Sequence, residues 1–480
     1  MRSALWTKAE LETWAAGLGA EIQGALPESI GGISIDSRSL MPGDAFFAIK
    51  GDRFDGHDYA GKAAEAGAAL VIIDEAHKAL TGNIKAPLLI APDVMDALRA
   101  LGRAARARLK LSARVAAVTG SVGKTTVKEM LAQALSPFGR VHKNPASFNN
   151  HWGVPLTLAR MPRETDYAVF EIGMNHAGEI APLAKLARPH LALITRIATV
   201  HMEHFKSVEE IAAAKAEIFS GLEKAGIAVL PHDDEFYDFL KRKAGGHKVI
   251  SFGRNTEADC RLLSEKATPL GAEFIADLEG NKRQFVIAVQ GAHMADNALA
   301  VLAAAWALLE KKADWDKIRN ALADFTAQAG RGARYCLALP AGGSFTLIDE
   351  SYNANPTSMR AALANLGQAP AARRIAVLGD MLELGTQAER EHQNLAEALQ
   401  DAKADIVFLA GSLMLSLAEK LERDSKIECH WQENTDGLAM EAEKILRSGD
   451  CLMVKSSHSI QTERVVKQLL ADYREMPQSH

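Results

Sequence analysis

The stretch RVAAVTGSVGKTTVKEM holds the residues best suited to chemistry. An apolar run, Arg114–Thr119, reads as a strand. It leads through Gly120, Ser121, Val122 and Gly123 into a helix that begins at or near Gly123. Backbone N–H groups in such a turn point inward and cradle phosphate oxygens, and the helix N-terminus adds partial positive charge. Lys124 is placed to reach the β- and γ-phosphates of a nucleotide as a point charge, and Thr125 or Thr126 offers a hydroxyl to Mg²⁺. The standard pattern has a glycine three residues before Ser121, where this chain has Val118. The strand before, the helix after and the double threonine still favour a nucleotide loop over an ordinary strand-to-helix turn. This motif specifies phosphate and leaves the reaction open.

Metal-binding candidates lie further along. Glu171 ends the run YAVFEIG, and ligands of open α/β sheets collect at the carboxyl ends of strands. A carboxylate there suits Mg²⁺, and the bland alternative is a solvent-facing turn residue. His201 comes after the strand-like LALITRI, with Glu203 and His204 as weaker rivals. Lys215, in VEEIAAAKAEIF, reads by itself as a solvated helix lysine, with Glu209, Glu210 and Glu217 on the same helix surface.

The surrounding elements form three zones. In residues 1–92, strand-like pieces at 45–50 and 69–74 flank a helical stretch at 59–67. In residues 93–330, strands (Arg114–Thr119, 167–172, 191–197) alternate with helices, which implies a mostly parallel sheet covered on both faces. A turn then leads into a long helix over 290–310. In residues 331–480, strands at 345–349, 374–379, 405–410 and Asp450–Lys455 alternate with helices, as in a second, doubly wound α/β unit.

Bulk properties narrow the class. The chain has 480 residues, too many for one small core, with 48% hydrophobic residues and 24% charged ones. A formal net charge of −5 argues against a nucleic-acid scaffold. The four cysteines form no CxxC pair and no metal spacing, which suits a reducing cytoplasm. The start has no signal-peptide core, and the longest apolar run, 298–309, is too short to span a bilayer. The expectation is a cytoplasmic protein with no membrane insertion.

These pieces together resemble the Mur ligase family, the ATP-dependent amide ligases of peptidoglycan-precursor synthesis. TGSVGKTT is similar to that family's variant phosphate loop, FEIG and the His201 segment to its two metal-binding stretches, and GAHMADNALAA to the stretch whose asparagine, here Asn297, contacts adenine. The resemblance implies three domains: a small mixed α/β domain binding the UDP-sugar, a central P-loop ATPase domain with a parallel sheet, and a C-terminal Rossmann-like domain binding the incoming substrate. It implies that Lys215 is carried as a carbamate ligating a second Mg²⁺, that Arg331 contacts ATP from the third domain, and that Asp349 lies near the ribose. IDESYNANPTSMRAAL (348–363) and SFNNHWGVPLTL (147–158) resemble the member that adds D-alanyl-D-alanine to UDP-N-acetylmuramoyl-tripeptide. They mark Tyr352, Asn353, Asn355, Asn149 and Asn150 as substrate-binding residues. DSRSLMPGDAFFAIKGDRFDGHDY marks Ser37 and Arg38 likewise. The implied enzyme is a cytoplasmic monomer serving cell-wall biogenesis, and through it cell shape, division and the cell cycle.

Two departures stand out. Arg196 occupies a position where the family usually has asparagine, and KSSH at 455–458 replaces lysine-glycine-serine-arginine. Arginine and histidine are not equivalent anion partners at neutral pH. Two other readings remain: another Mur-type or folylpolyglutamate-type ligase with a different amine, and a P-loop ATPase switch that releases phosphate without any amine.

Overall fold

The computed structural model describes residues 3–51, 54–200, 202–268 and 271–476. Among them, three large sheets carry the α/β architecture. The first has the order Glu21–Gln23, Leu88–Ala91, Leu70–Asp74, Asp44–Phe47, Gly32–Ser34, antiparallel only at the Glu21–Gln23 edge. Apart from Asp44 and Asp74 at their ends, its inner strands are apolar because both faces are covered. Phe46, Val71 and Ile73 pack on the helix Ala60–Glu65 side. Phe47, Leu70 and Ile72 face the other way, into a core shared with Trp14, Leu98, Val154 and Leu158. The first unit is thereby joined to the central one, and the Arg160 Nε–H donates to Ile33 O at 2.8 Å across the seam.

The central sheet has nine strands, with Arg114–Thr119 between Leu191–Ile194 and Tyr167–Glu171. These three run parallel, so Thr119, Glu171 and the turn after Ile194 emerge at one edge, where the chain reverses its direction of winding. Helix Lys124–Leu135 lies against Ala292–Leu309, whose run of alanines and leucines is buried as the apolar stretch predicts. Six further strands lie outside the sequence expectation; three of them, Cys260–Thr268, Gly271–Leu278 and Asn281–Ile287, extend the sheet as an antiparallel ribbon. The last two are joined through Glu279 and Gly280, at φ 56° and 77°. Glutamate is an unusual first residue for a turn that needs positive φ twice, so the hairpin carries no Asn-Gly or Asp-Gly mark.

The third sheet has the order Ala333–Ala338, Ser344–Asp349, Asp450–Lys455, Arg373–Gly379, Ile406–Ala410, Glu428–Gln432. Only its first pair is antiparallel. Helices cover both faces, with Met359 and Leu363 on one side and Val465 and Leu469 on the other.

Two histidines inside the central unit make a prediction about acid. His142 donates from Nε2 to Thr157 O at 2.8 Å, and the Nδ1 of His190 accepts the Val115 N–H at 3.0 Å. Burial, with nearby arginines, brings both down to about 4 from an ordinary 6.5. The unfolded chain therefore takes up protons that the folded chain refuses, and stability falls as pH drops from 6.5 towards 4. Urea denaturation should show the midpoint falling between pH 6.5 and 5, before most carboxylates titrate. His142→Gln should flatten that fall, and a midpoint independent of pH in the unaltered chain would refute the assignment.

Candidate active site

Two glycines shape the phosphate loop. Gly120 sits at φ 148°, and a Cβ there would lie 1.9 Å from Thr195 Oγ1. Gly123 caps the helix at φ 82°, and a Cβ there would lie 2.7 Å from Asn297 Oδ1. Asn297 thus lies directly against the phosphate loop. Val118, the departure from the standard loop, is still a strand residue, paired with Glu171 on one side and Leu193 on the other. The Ser121 N–H donates to Arg196 O at 2.7 Å, and Thr195 Oγ1 donates to Val122 O at 2.5 Å. Arg196 thus supports the loop through its carbonyl, a group that any residue supplies. Lys124 Nζ curls back to donate to Gly120 O at 2.7 Å and Ser121 O at 3.2 Å.

Glu171 is buried and both its carboxylate oxygens are engaged. Thr125 Oγ1 donates to Oε2 at 2.8 Å, and Asn149 Nδ2 donates to Oε1 at 2.7 Å. The Glu171 N–H donates to the fully buried Asn144 at 2.7 Å. Lys215 corrects the sequence reading: helix Val208–Ala216 turns it inward and leaves it 1% exposed. Periodicity could not show this, because that helix is covered on the side its lysine occupies. Burial, with Lys124 nearby, pushes the Lys215 amine well below its ordinary range. Glu217 also leaves the solvated surface, accepting the N–H groups of Gly178 and Ala181 at the start of helix Ile180–Ala187. Thr126 lines the same cleft, and His201 lies outside the described residues.

The donor set fits the implied ligands. Hydroxyl and carboxylate oxygens at a strand end and helix start suit a hard cation such as Mg²⁺, and the glycine turn leaves room for phosphate. One other grouping among the described residues has metal-binding donors, Asp55, His57 and His77 in the first unit. There the Asp74 N–H donates to His57 Nε2 at 3.2 Å, so the ring proton sits on Nδ1, which donates to Asp55 at 2.6 Å. That imidazole has no lone pair left for a metal.

A cleft of about 890 Å³ joins this edge to the third unit. Arg331 Nη2 donates to Ser147 Oγ at 3.0 Å, and the guanidinium carbon lies 4.1 Å from the Tyr352 ring centroid. Tyr352 and Asn353 line the cleft, and Lys455 Nζ donates to Asn353 O at 2.8 Å. Asn150 and Asn355 line it too while holding local structure: Asn150 accepts the Gly153 N–H, and Asn355 caps helix Pro356–Gln368. In the divergent 455–458 segment, Ser456 bonds Thr462 inside the fold and His458 stacks on Tyr352 at 5.4 Å.

Three residues marked by the resemblance are not brought to this cleft. Asp349 is buried, with its carboxylate accepting the Gly330 N–H at 2.6 Å and the Ser351 hydroxyl at 2.6 Å. It holds the turn that presents Arg331. Ser37 and Arg38 stay in the first unit, where Arg38 forks onto Asp36 at 2.9 and 2.7 Å. Lys128, Asn144 and Glu350 join the surroundings of the site; Lys128 and Glu350 lie inside the quoted stretches without being singled out there. Lys128 stands four residues after Lys124, on the same helix face, and that spacing was the available signal.

Comparison with known proteins places the chain in a family. Residues 29–108 match the Mur ligase family catalytic domain, 118–305 the Mur ligase middle domain, and 337–458 the Mur ligase glutamate ligase domain. The chain is 35% identical over 455 residues to the UDP-N-acetylmuramoyl-tripeptide–D-alanyl-D-alanine ligase of Escherichia coli K12, covering 94% of this chain and 96% of that one. It resembles a MurF crystal structure from Acinetobacter baumannii, with a TM-score of 0.83, 29% identity and coverage of 97% and 99%. It also resembles the MurF ligase of Thermotoga maritima solved in complex with ADP, with a TM-score of 0.75, 25% identity and coverage of 91% and 96%.

Proposed function

This chain belongs to the Mur ligase family, and we infer that it joins D-alanyl-D-alanine to UDP-N-acetylmuramoyl-tripeptide in an ATP-driven reaction. The observation that carries the reading is the meeting of Lys124, Thr125 and Glu171 in one cleft with Arg331 from the third unit. Relatives matched over nearly their whole length are named for this ligation, which favours it over a folate-type ligase or an amine-independent ATPase.

The chemistry starts from a poor electrophile. The tripeptide's terminal carboxylate would have to expel oxide. Transfer of the γ-phosphoryl group forms a new O–P bond on that carboxylate, breaks the bond to ADP, and gives an acyl phosphate. The dipeptide's amine then attacks the acyl carbon, the tetrahedral oxyanion collapses, phosphate leaves and the amine's proton is lost. Two anions must be pressed together for the first step. Lys124 contributes a point charge at the loop, and Arg331 supplies a second cation from the facing unit. Mg²⁺, held by Thr125 or Thr126, Glu171, His201 and a carbamate on Lys215, would neutralise charge on the phosphates. Asn297 reaches the base. The division of labour is UDP-sugar on residues 1–92 through Ser37 and Arg38, ATP on 93–330, and the dipeptide on 331–480, with Asn149, Asn150, Tyr352, Asn353 and Asn355 at the join.

Phosphate release from ATP should require both the UDP-muramoyl-tripeptide and D-alanyl-D-alanine, with a product heavier by the dipeptide less water. Equal release without the dipeptide would make the protein an ATPase switch instead.

A further inference from the structure

Lys128 is a fully buried cation that the ligation chemistry above does not use. An ammonium has three protons to donate, and here each has an acceptor. Nζ lies 3.0 Å from Asn144 O, 2.6 Å from Ala146 O and 3.0 Å from Glu129 Oε1. Glu171 Oε2 stands 3.8 Å away. Glu129 is itself held by an ion pair to Lys143, so charge is balanced around the buried group.

The two carbonyls belong to the start of the 144–150 loop, whose later residues reach the cleft. Ala146 is held at φ 45°, a left-handed conformation that disfavours alanine, although its side chain is exposed. A bond from a buried ammonium to its carbonyl opposes that cost. The next residue, Ser147, receives Arg331 from the third unit, and Asn149 donates to the Glu171 carboxylate.

We propose that Lys128 is a positioning residue: its ammonium pins the 144–150 loop so that Asn149 orients Glu171 and Ser147 receives Arg331. The inference rests on reading the cleft as a nucleotide site. It adds that one buried charge couples the phosphate-loop helix to the third unit's latch.

The test uses the intact chain and two measurements that need no dipeptide. Hydrogen exchange of the 146–150 amides should be about tenfold faster in Lys128→Met, with strand Arg114–Thr119 as the internal control. ATP affinity supplies a double-mutant cycle. Arg331→Ala should weaken binding about tenfold in the unaltered chain, through loss of a charged contact, and less than about twofold in Lys128→Met, where Ser147 is already out of place. Exchange that rises no more in the loop than in the strand would overturn the proposal, as would an equal Arg331→Ala factor in both backgrounds. Should Lys128→Met fail to fold, Lys128→Arg is measured in its place. A planar guanidinium cannot reproduce the tripod, so unaltered exchange and an unaltered Arg331→Ala factor there would be equally fatal. A failed ligation assay would leave both measurements standing.

Discussion

Lys124→Met should lower the rate of ATP-dependent phosphate release by about 10²- to 10³-fold, the usual cost of removing a group aimed at charge developing in a transition state. The substitution keeps most of the apolar stem of the side chain and removes the charge together with its N–H donors. Lys124 is the first residue of its helix, with its ammonium between two loop carbonyls that also border the phosphate cradle. Burial lowers its affinity for the proton, Arg331 lowers it further, and Glu171 opposes both. A bound triphosphate shifts the balance back towards the charged form, because opposite charges favour ionisation. The loss should therefore fall on turnover and ATP affinity, with the KM for the dipeptide little changed. Thermal unfolding should also move little, since the ammonium lines the cleft and satisfies only loop carbonyls. A variant retaining a tenth or more of the ordinary rate would remove Lys124 from the phosphoryl-transfer step.

What could be read without coordinates divides along physical lines. The phosphate loop was legible because strand, glycine turn and helix are adjacent in the chain, and their chemistry depends on local backbone geometry. Glu171 was legible for a similar reason: a strand's last residue lies at the sheet edge wherever that strand sits. The apolar run 298–309 inside the helix Ala292–Leu309 announced its burial by holding no polar residue. The burial of Lys128 and Lys215 was opaque to local pattern, because a helix lysine looks the same in sequence whether its face meets water or a neighbouring element; the Lys124–Lys128 spacing marks a shared face without saying that it is buried. The contact between Arg331 and Ser147 spans 184 residues, and no local pattern encodes it. Asn297 shows the middle case: the resemblance pointed to it, and the structure sets its side-chain oxygen 2.7 Å from where a Cβ on Gly123 would stand. Asp349 shows the opposite outcome, a site candidate whose carboxylate is taken up by its own turn.

Lys215→Ala should lower turnover at least about 100-fold, as expected for losing a group that sets a catalytic cation in place. Burying a lysine is costly. A charged ammonium in this position is desolvated and lies near a second ammonium, Lys124, and both effects favour its neutral form. A neutral amine is a nucleophile towards carbon dioxide: an N–C bond forms, one proton leaves, and a carbamate with one negative charge results. That reversal of sign turns an unfavourable pair of cations into an opposite-charge pair. It also supplies the anionic oxygen that a second Mg²⁺ needs. Activity should accordingly decline in buffer stripped of carbon dioxide and bicarbonate, and return when bicarbonate is restored. Lys215→Arg separates this account from a simple requirement for positive charge, because arginine stays protonated and forms no carbamate under these conditions. The two variants should be comparably impaired, and neither should respond to bicarbonate. Near-normal turnover in Lys215→Arg would mean that the site uses a cation there, and the carbamate would have to be abandoned.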